Sequence, residues 1–355
     1  MKLGLGLYRH MLTRQNFQFA RQAGATHLVV HLVDYFKGGA HNPRDNQPTG
    51  TEQGWGLAGD PNRIWTLEEL VELSKGAAAE ELKIEAVENF DPAHWHDVLL
   101  DGPKKKQQLD NVKTIIRRLG RAGIPVMGYN FSIAGVCGRV TGQFARGGAL
   151  SVGMDGPLDA PMPNGMVWNM VYDPSAPSGT VAPISHEEMW RRFEAFLNEI
   201  VPVAEEAGVK LALHPDDPPM PTMRGQARLV FQPQLYQRVL ELNRSPANAF
   251  EFCLGTLAEM TEGSLYEAVE QYSRQGKLAY VHFRNITGKV PHYRETFIDD
   301  GDIDMLRVLR ILRKNNFDGV LIPDHTPQMT CDAPWHAGMA YALGYMRAAL
   351  QAIEA

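Results

Sequence analysis

Four side chains of metal-ligand type, His214, Cys253, His282 and Asp324, recur at intervals of about 30 to 40 residues in the second half of the chain. Imidazole nitrogen, thiolate sulfur and carboxylate oxygen together suit a borderline divalent ion such as Mn2+, Fe2+, Co2+ or Zn2+, whereas Mg2+ prefers an all-oxygen shell. No local spacing motif joins the four. Their common feature is position, because each closes a short apolar run. Taken singly, a His in such a place is more often a satisfied core or surface group, and a Cys is commonly a small buried residue. The coincidence of four carries the reading. Groups suited to acid–base work and anion binding lie beside them: His325 follows Asp324, Arg284 lies two residues past His282, and Arg139 lies in the segment after Asn130. The planar donor fork of an arginine fits a carboxylate, so a metal with arginines points to an anionic, oxygenated small molecule. The segment HPDDPPMP at 214–221 forms a stiff turn, in which Asp216 or Asp217 is placed to orient the imidazole of His214.

The elements that must position these groups follow one repeating unit. A helical run ends at a glycine, and a short β-branched run follows and stops at a polar residue, as in FQFARQAGATHLVVH, LGRAGIPVMGYN and IVPVAEEAGVKLALH. Gly24, Gly123 and Gly208 stand where a helix end needs a left-handed residue. The pattern predicts eight strands, at 3–8, 27–31, 83–88, 125–130, 210–214, 249–253, 278–282 and 320–323. Helical runs separate them at 16–23, 66–82, 104–122, 185–207, 233–244, 263–275 and 302–316, with a last helix at 336–354. Eight alternating units without a second core predict a (β/α)8 TIM barrel spanning 1–355 as one α/β domain, with a doubly wound sheet as the alternative. In a barrel the strand ends meet at one mouth, so His31 and Asn130 join the four ligands there as substrate-binding candidates. Two connections, 32–65 and 132–184, are far longer than ordinary strand-to-helix loops and follow strand ends. They read as lids or oligomer contacts, which favours a homo-oligomer.

Composition sets the outer limits. Against 41 acidic residues stand 35 Lys and Arg, a formal charge of −6, which offers no electrostatic attraction for nucleic acid or an anionic membrane. Three cysteines, at 137, 253 and 331, are too few and too scattered for a disulfide framework. With no apolar stretch long enough for a membrane span, the expected location is the cytoplasm.

The chain resembles the mannonate dehydratase family. The residues that carry the likeness are GYNF at 128–131 with Arg139 beyond it, HPDDPP at 214–219, FCLG at 252–255, HFRN at 282–285, GDIDM at 301–305 and PDHTPQM at 323–329. The resemblance implies a xylose-isomerase-like barrel and a metal-dependent lyase of hexuronate catabolism that removes water from D-mannonate to give 2-keto-3-deoxy-D-gluconate. It places the metal, Mn2+ or Fe2+, on His214, Cys253, His282 and Asp324. The family's His after the ligand Asp, an acid–base group, falls on His325; from their own placement, Arg284 and Asp216 are read as its catalytic neighbours and Asn130, Arg139, Arg284 and His31 as substrate contacts. One departure stands out. Where the family carries a catalytic Tyr in a Gly-Tyr-Ser segment opening the final helix, this chain reads Trp335-His336-Ala337-Gly338-Met339, with Tyr341 and Tyr345 further on. A divalent-metal sugar isomerase, an epimerase, or a lyase on another sugar would use the same barrel and ligands.

Overall fold

A computed structural model describes residues 1–38, 47–49 and 52–354. Eight parallel strands close into a barrel in chain order: Lys2–Leu7, His27–Val30, Lys83–Glu88, Val126–Tyr129, Lys210–Leu213, Asn248–Cys253, Leu278–His282 and Val320–Ile322. The first and last strands seal it in register, Lys2 opposite Val320 and Leu3 opposite Leu321. A doubly wound sheet is thereby excluded. The predicted strands agree with the observed ones to within about two residues, because apolar runs of four to six residues bounded by helix stops have one way to lie in such a sheet.

The helices start where their caps put them. Thr66 and Glu69 form a capping box at Leu67–Ala78, Ser185 caps His186–Ala207, and Asp304 caps Met305–Lys314. The long helix ends at Gly208 with φ 67°, the left-handed closure its sequence predicts. Two helices were not foreseen: Pro92–Leu100, capped by Asp91, and the short Leu254–Glu259, which begins directly after Cys253.

Inside the barrel, small and branched side chains fill the lower layer: Val29, Ala86, Val126, Ala212, Ala249, Ala279, Val320 and Ile322. Because strand side chains alternate, the next inward positions, two residues on, belong to one level at the carboxyl ends. These are His31, Glu88, Gly128, His214, Glu251 and Asp324. The segment 132–184 is built rather than loose. Val140–Ala145 and Ala149–Asp155 pair with each other and join the hairpin Asn285–Lys289/His292–Thr296 in a four-stranded antiparallel sheet, and Met166–Val167 pairs with Met170–Val171. Of the segment 32–65, residues 39–46, 50 and 51 lie outside the described residues. Among the described residues, no helix is long and apolar enough to cross a membrane.

Candidate active site

His214, Cys253 and His282 come together at the mouth, with donor atoms within 4.8 Å of one another. His214 sits just past the fifth strand, and its Nδ1 lies 2.6 Å from the Pro215 carbonyl. That contact fixes a proton on Nδ1, and Glu251, 3.9 Å from Nε2, together with Cys253 outweighs burial and raises the ring to about 10. Cys253 ends the sixth strand and caps the helix behind it, its sulfur accepting from the Thr256 hydroxyl at 3.1 Å. Burial opposes ionisation of this thiol, but Arg284 and contacts from His214 and His282 outweigh it and bring it down to about 5. His282 ends the seventh strand. Its Nδ1 is 3.3 Å from Asp324 Oδ2, and its Nε2 is 2.9 Å from Glu251 Oε1 and 3.2 Å from Glu88 Oε2.

Asp324 follows the eighth strand in a left-handed conformation, φ 60°. Its Oδ2 also lies 3.2 Å from Arg284 Nε, and its Oδ1 lies 3.3 Å from His325 Nε2. Burial disfavours its charge, yet His282, His325 and Arg284 hold the carboxyl well below the usual range. The four predicted ligands are thus gathered at one place. His282 Nδ1 is buried without a hydrogen-bond partner. A thiol lowered to about 5, an imidazole in contact with it and a second imidazole facing a carboxylate are together the donor set that suits a divalent cation.

Two carboxylates in this centre were not singled out from sequence. Glu88 and Glu251 meet His282 from below and form, with it, a second close group. Burial and the charge of Glu88 push Glu251 up to about 7. Gly128, opposite them, is what makes room: a Cβ there would lie 2.2 Å from the Tyr280 hydroxyl and 2.7 Å from Glu251 Oε2. The signal for Glu251 was present in the strand NAFEFC, where a charged residue stands between two phenylalanines and two positions before Cys253, on the same face.

Above these four residues opens a small pocket at the barrel mouth. His31, Asn130, Arg139, His214, His282, Asp324 and His325 all line it, as do Asp217 and the aromatic residues Tyr8, Tyr35, Trp55 and Trp168. Asn130 donates to the Pro215 carbonyl and keeps its Oδ1 unpaired. Arg139 donates to Gln47 Oε1 at 2.7 Å and to the Pro48 carbonyl at 3.1 Å. His31 contacts the Tyr35 hydroxyl at 3.0 Å, and burial lowers its pKa.

The structure does not bring every predicted residue to this wall. Arg284 lies behind it, donating to Glu259 at 2.9 Å and to Asp217 at 3.0 Å, with Glu295 at 3.6 Å. Asp216 turns away altogether. Its two oxygens accept from Arg228 Nε and from the backbone N–H groups of Leu229 and Val230, all within 2.8 Å, so its neighbour Asp217 is the aspartate at the cavity. Nor does the final helix supply a hydroxyl there: Tyr341 is exposed near Arg146, and His336 contacts Asn16. Tyr8, at the end of the first strand, lines the cavity, and among the described residues its hydroxyl has no hydrogen-bond partner.

Comparison with known proteins bears on the family and the fold. A mannonate dehydratase of Streptococcus pneumoniae (strain 70585) is 31% identical over 280 residues, covering 74% of this chain and 75% of that protein. The crystal structure of mannonate dehydratase from Streptococcus suis serotype 2 superposes with a TM-score of 0.73 at 25% identity, covering 99% of this chain and 93% of that one. The D-psicose 3-epimerase of Clostridium cellulolyticum H10, at 12% identity and a TM-score of 0.58 over 99% of both chains, shares the fold. The family model for D-mannonate dehydratase (UxuA) matches residues 16–142 and 179–355, and the chain belongs to that family.

Proposed function

We propose that this protein removes water from D-mannonate to give 2-keto-3-deoxy-D-gluconate, with a divalent ion, Mn2+ or Fe2+, held by His214, Cys253, His282 and Asp324. The observation that carries the reading is the close approach of His214, Cys253 and His282 beneath a polar pocket, with Asp324 Oδ2 3.3 Å from His282 Nδ1. When bound, the ion would offset the negative charge that builds on the substrate's carboxylate end as the adjacent carbon loses its proton.

The chain's own residues supply the rest. Arg139, the guanidinium in the cavity wall, pairs with the substrate carboxylate, and Asn130 Oδ1 accepts from a substrate hydroxyl. His31 lines the same wall as a further hydroxyl partner. His325, set between Glu295 and Asp324 at 3.3 Å from each, takes the proton from the carbon beside the carboxylate and returns it to the C3 hydroxyl, which leaves as water, and the enol so formed tautomerises to the 2-keto acid. Arg284 acts through others, keeping Asp217 and Asp324 in place, and Asp216 holds the turn that carries His214. Glu251 and Glu88 orient the His282 ring from its far nitrogen. The same reading has the chain working in the cytoplasm as a single-domain homo-oligomer on a small sugar acid.

The test is incubation of Mn2+-loaded protein with D-mannonate, following 2-keto acid, beside a panel of aldoses. Expected is 2-keto acid from the aldonate, with His214→Ala losing both bound metal by elemental analysis and activity. Metal-free protein that dehydrates at the same rate would overturn the metal assignment. Aldose–ketose exchange without 2-keto acid would overturn the reaction.

A further inference from the structure

The strands Met166–Val167 and Met170–Val171 pair with Val167 opposite Met170, so Trp168 and Asn169 alone make the turn. Both have positive φ, 52° and 57°. A two-residue turn with two left-handed residues is type I′, which favours Asn-Gly. A tryptophan at its first position is a bulky side chain in a region such residues avoid. The surroundings hold it there. Trp168 N donates to the Ile133 carbonyl at 2.6 Å, and Asn169 is tied to Val136, to Arg224 and, through its carbonyl, to Trp55 N at 2.8 Å. Gly135 packs so closely beneath that a Cβ there would lie 2.7 Å from the Trp168 Cα.

The result is a ring 3% exposed in the wall of the cavity, 5.6 Å from Tyr35 and 5.3 Å from Trp55 between centroids. Among the described residues its Nε1 is buried without a hydrogen-bond partner. A packing residue alone would not need a tryptophan there: phenylalanine fills most of that volume without stranding a donor, and stranding one is costly.

We propose that Trp168 is a specificity-determining residue whose indole N–H donates to a hydroxyl of the substrate beyond the reacting carbons. The inference rests on the aldonate reading given above. Its test compares wild type with Trp168→Phe on D-mannonate and on its 4-, 5- and 6-deoxy analogues. Expected is a fall of about tenfold in kcat/KM for D-mannonate, mostly in KM, at an unchanged melting temperature. The penalty should vanish with the one analogue that lacks the contacted hydroxyl, which a merely structural role would not produce. Equal kinetics of the two proteins on D-mannonate, or a penalty of the same size with all three analogues, would overturn it. Should the wild type turn over no aldonate, the dehydratase reading fails separately. Calorimetric binding of the same four compounds then decides, and unchanged affinity in Trp168→Phe sinks the inference.

Discussion

Asp216 and Asp217 are neighbours of one chemical type, each bound to a buried arginine, and the two clusters they enter are built differently. The Asp216–Arg228 clamp is closed. Every oxygen of the carboxylate has a donor, and Arg228 spends its other nitrogens on the Gly135 and Asp217 carbonyls. The Asp217–Arg284 cluster is open. One guanidinium faces Asp217, Glu259, Glu295 and Asp324, and Asp217 Oδ1, Glu259 Oε2 and Arg284 Nε are left buried without hydrogen bonds. A cluster whose valences are complete holds the fold, and one whose valences are left over is prepared for something else to bind.

Removing the hub of the open cluster is the most damaging change. Arg284→Met takes the ion-pair partner from the buried Asp217 and Glu259 and weakens the hold on Glu295 and Asp324, and the expected outcome is a loss of about 3–5 kcal/mol in chemical denaturation together with loss of dehydration. In the closed cluster, Asp216→Asn should cost about 2–3 kcal/mol through weakened contacts to Arg228 and two backbone donors, with kcat per folded molecule nearly unchanged at low temperature. A large fall in kcat at full foldedness would erase the distinction between the two clusters. At the cavity itself, Tyr8→Phe removes a hydroxyl with no hydrogen-bond partner among the described residues, so melting should hold while kcat/KM drops about tenfold. An unchanged kcat/KM would mean that this hydroxyl does not meet the substrate.

The smallest effect belongs to the opposite end of the barrel. His27, at the start of the second strand, is held down to about 4 by burial and by the charges of Lys2 and Lys83. Above about pH 6.5 native and unfolded chains are both neutral at this residue, and nothing is lost. As pH falls from there through about 4, the unfolded chain binds a proton the native chain refuses, so stability declines. Partial burial limits this to about 1 kcal/mol. His27→Gln should flatten that acid limb in denaturation midpoints between pH 7 and pH 4, without moving the activity of either cluster.

The barrel and the positions of the four strand-end residues were legible because both depend on local pattern. A helix stop followed by a short apolar run predicts a strand, and the residue closing that run must lie at the mouth once the strands are parallel and the barrel is closed. His214, Cys253, His282 and Asp324 follow from that alone, as do His31 and Asn130. Glu251 was readable by alternation and was passed over, since a charge flanked by phenylalanines is easily taken as lying outside.

Other features depended on how distant segments meet. Which of two adjacent aspartates faces Arg284 depends on a rotation of the turn set by Arg228, twelve residues away. That Arg284 is enclosed by carboxylates rather than offered to a substrate depends on residues from four separate segments. Trp168 could not be placed, because the turn that aims it has none of the Asn-Gly signal by which such turns are read. The sequence by itself determined the order of strands and the residues at their ends, through short-range alternation and helix termination. Only the tertiary structure decided which of those polar groups are satisfied by the protein and which are left for a ligand, because satisfaction depends on contacts between segments far apart in the chain.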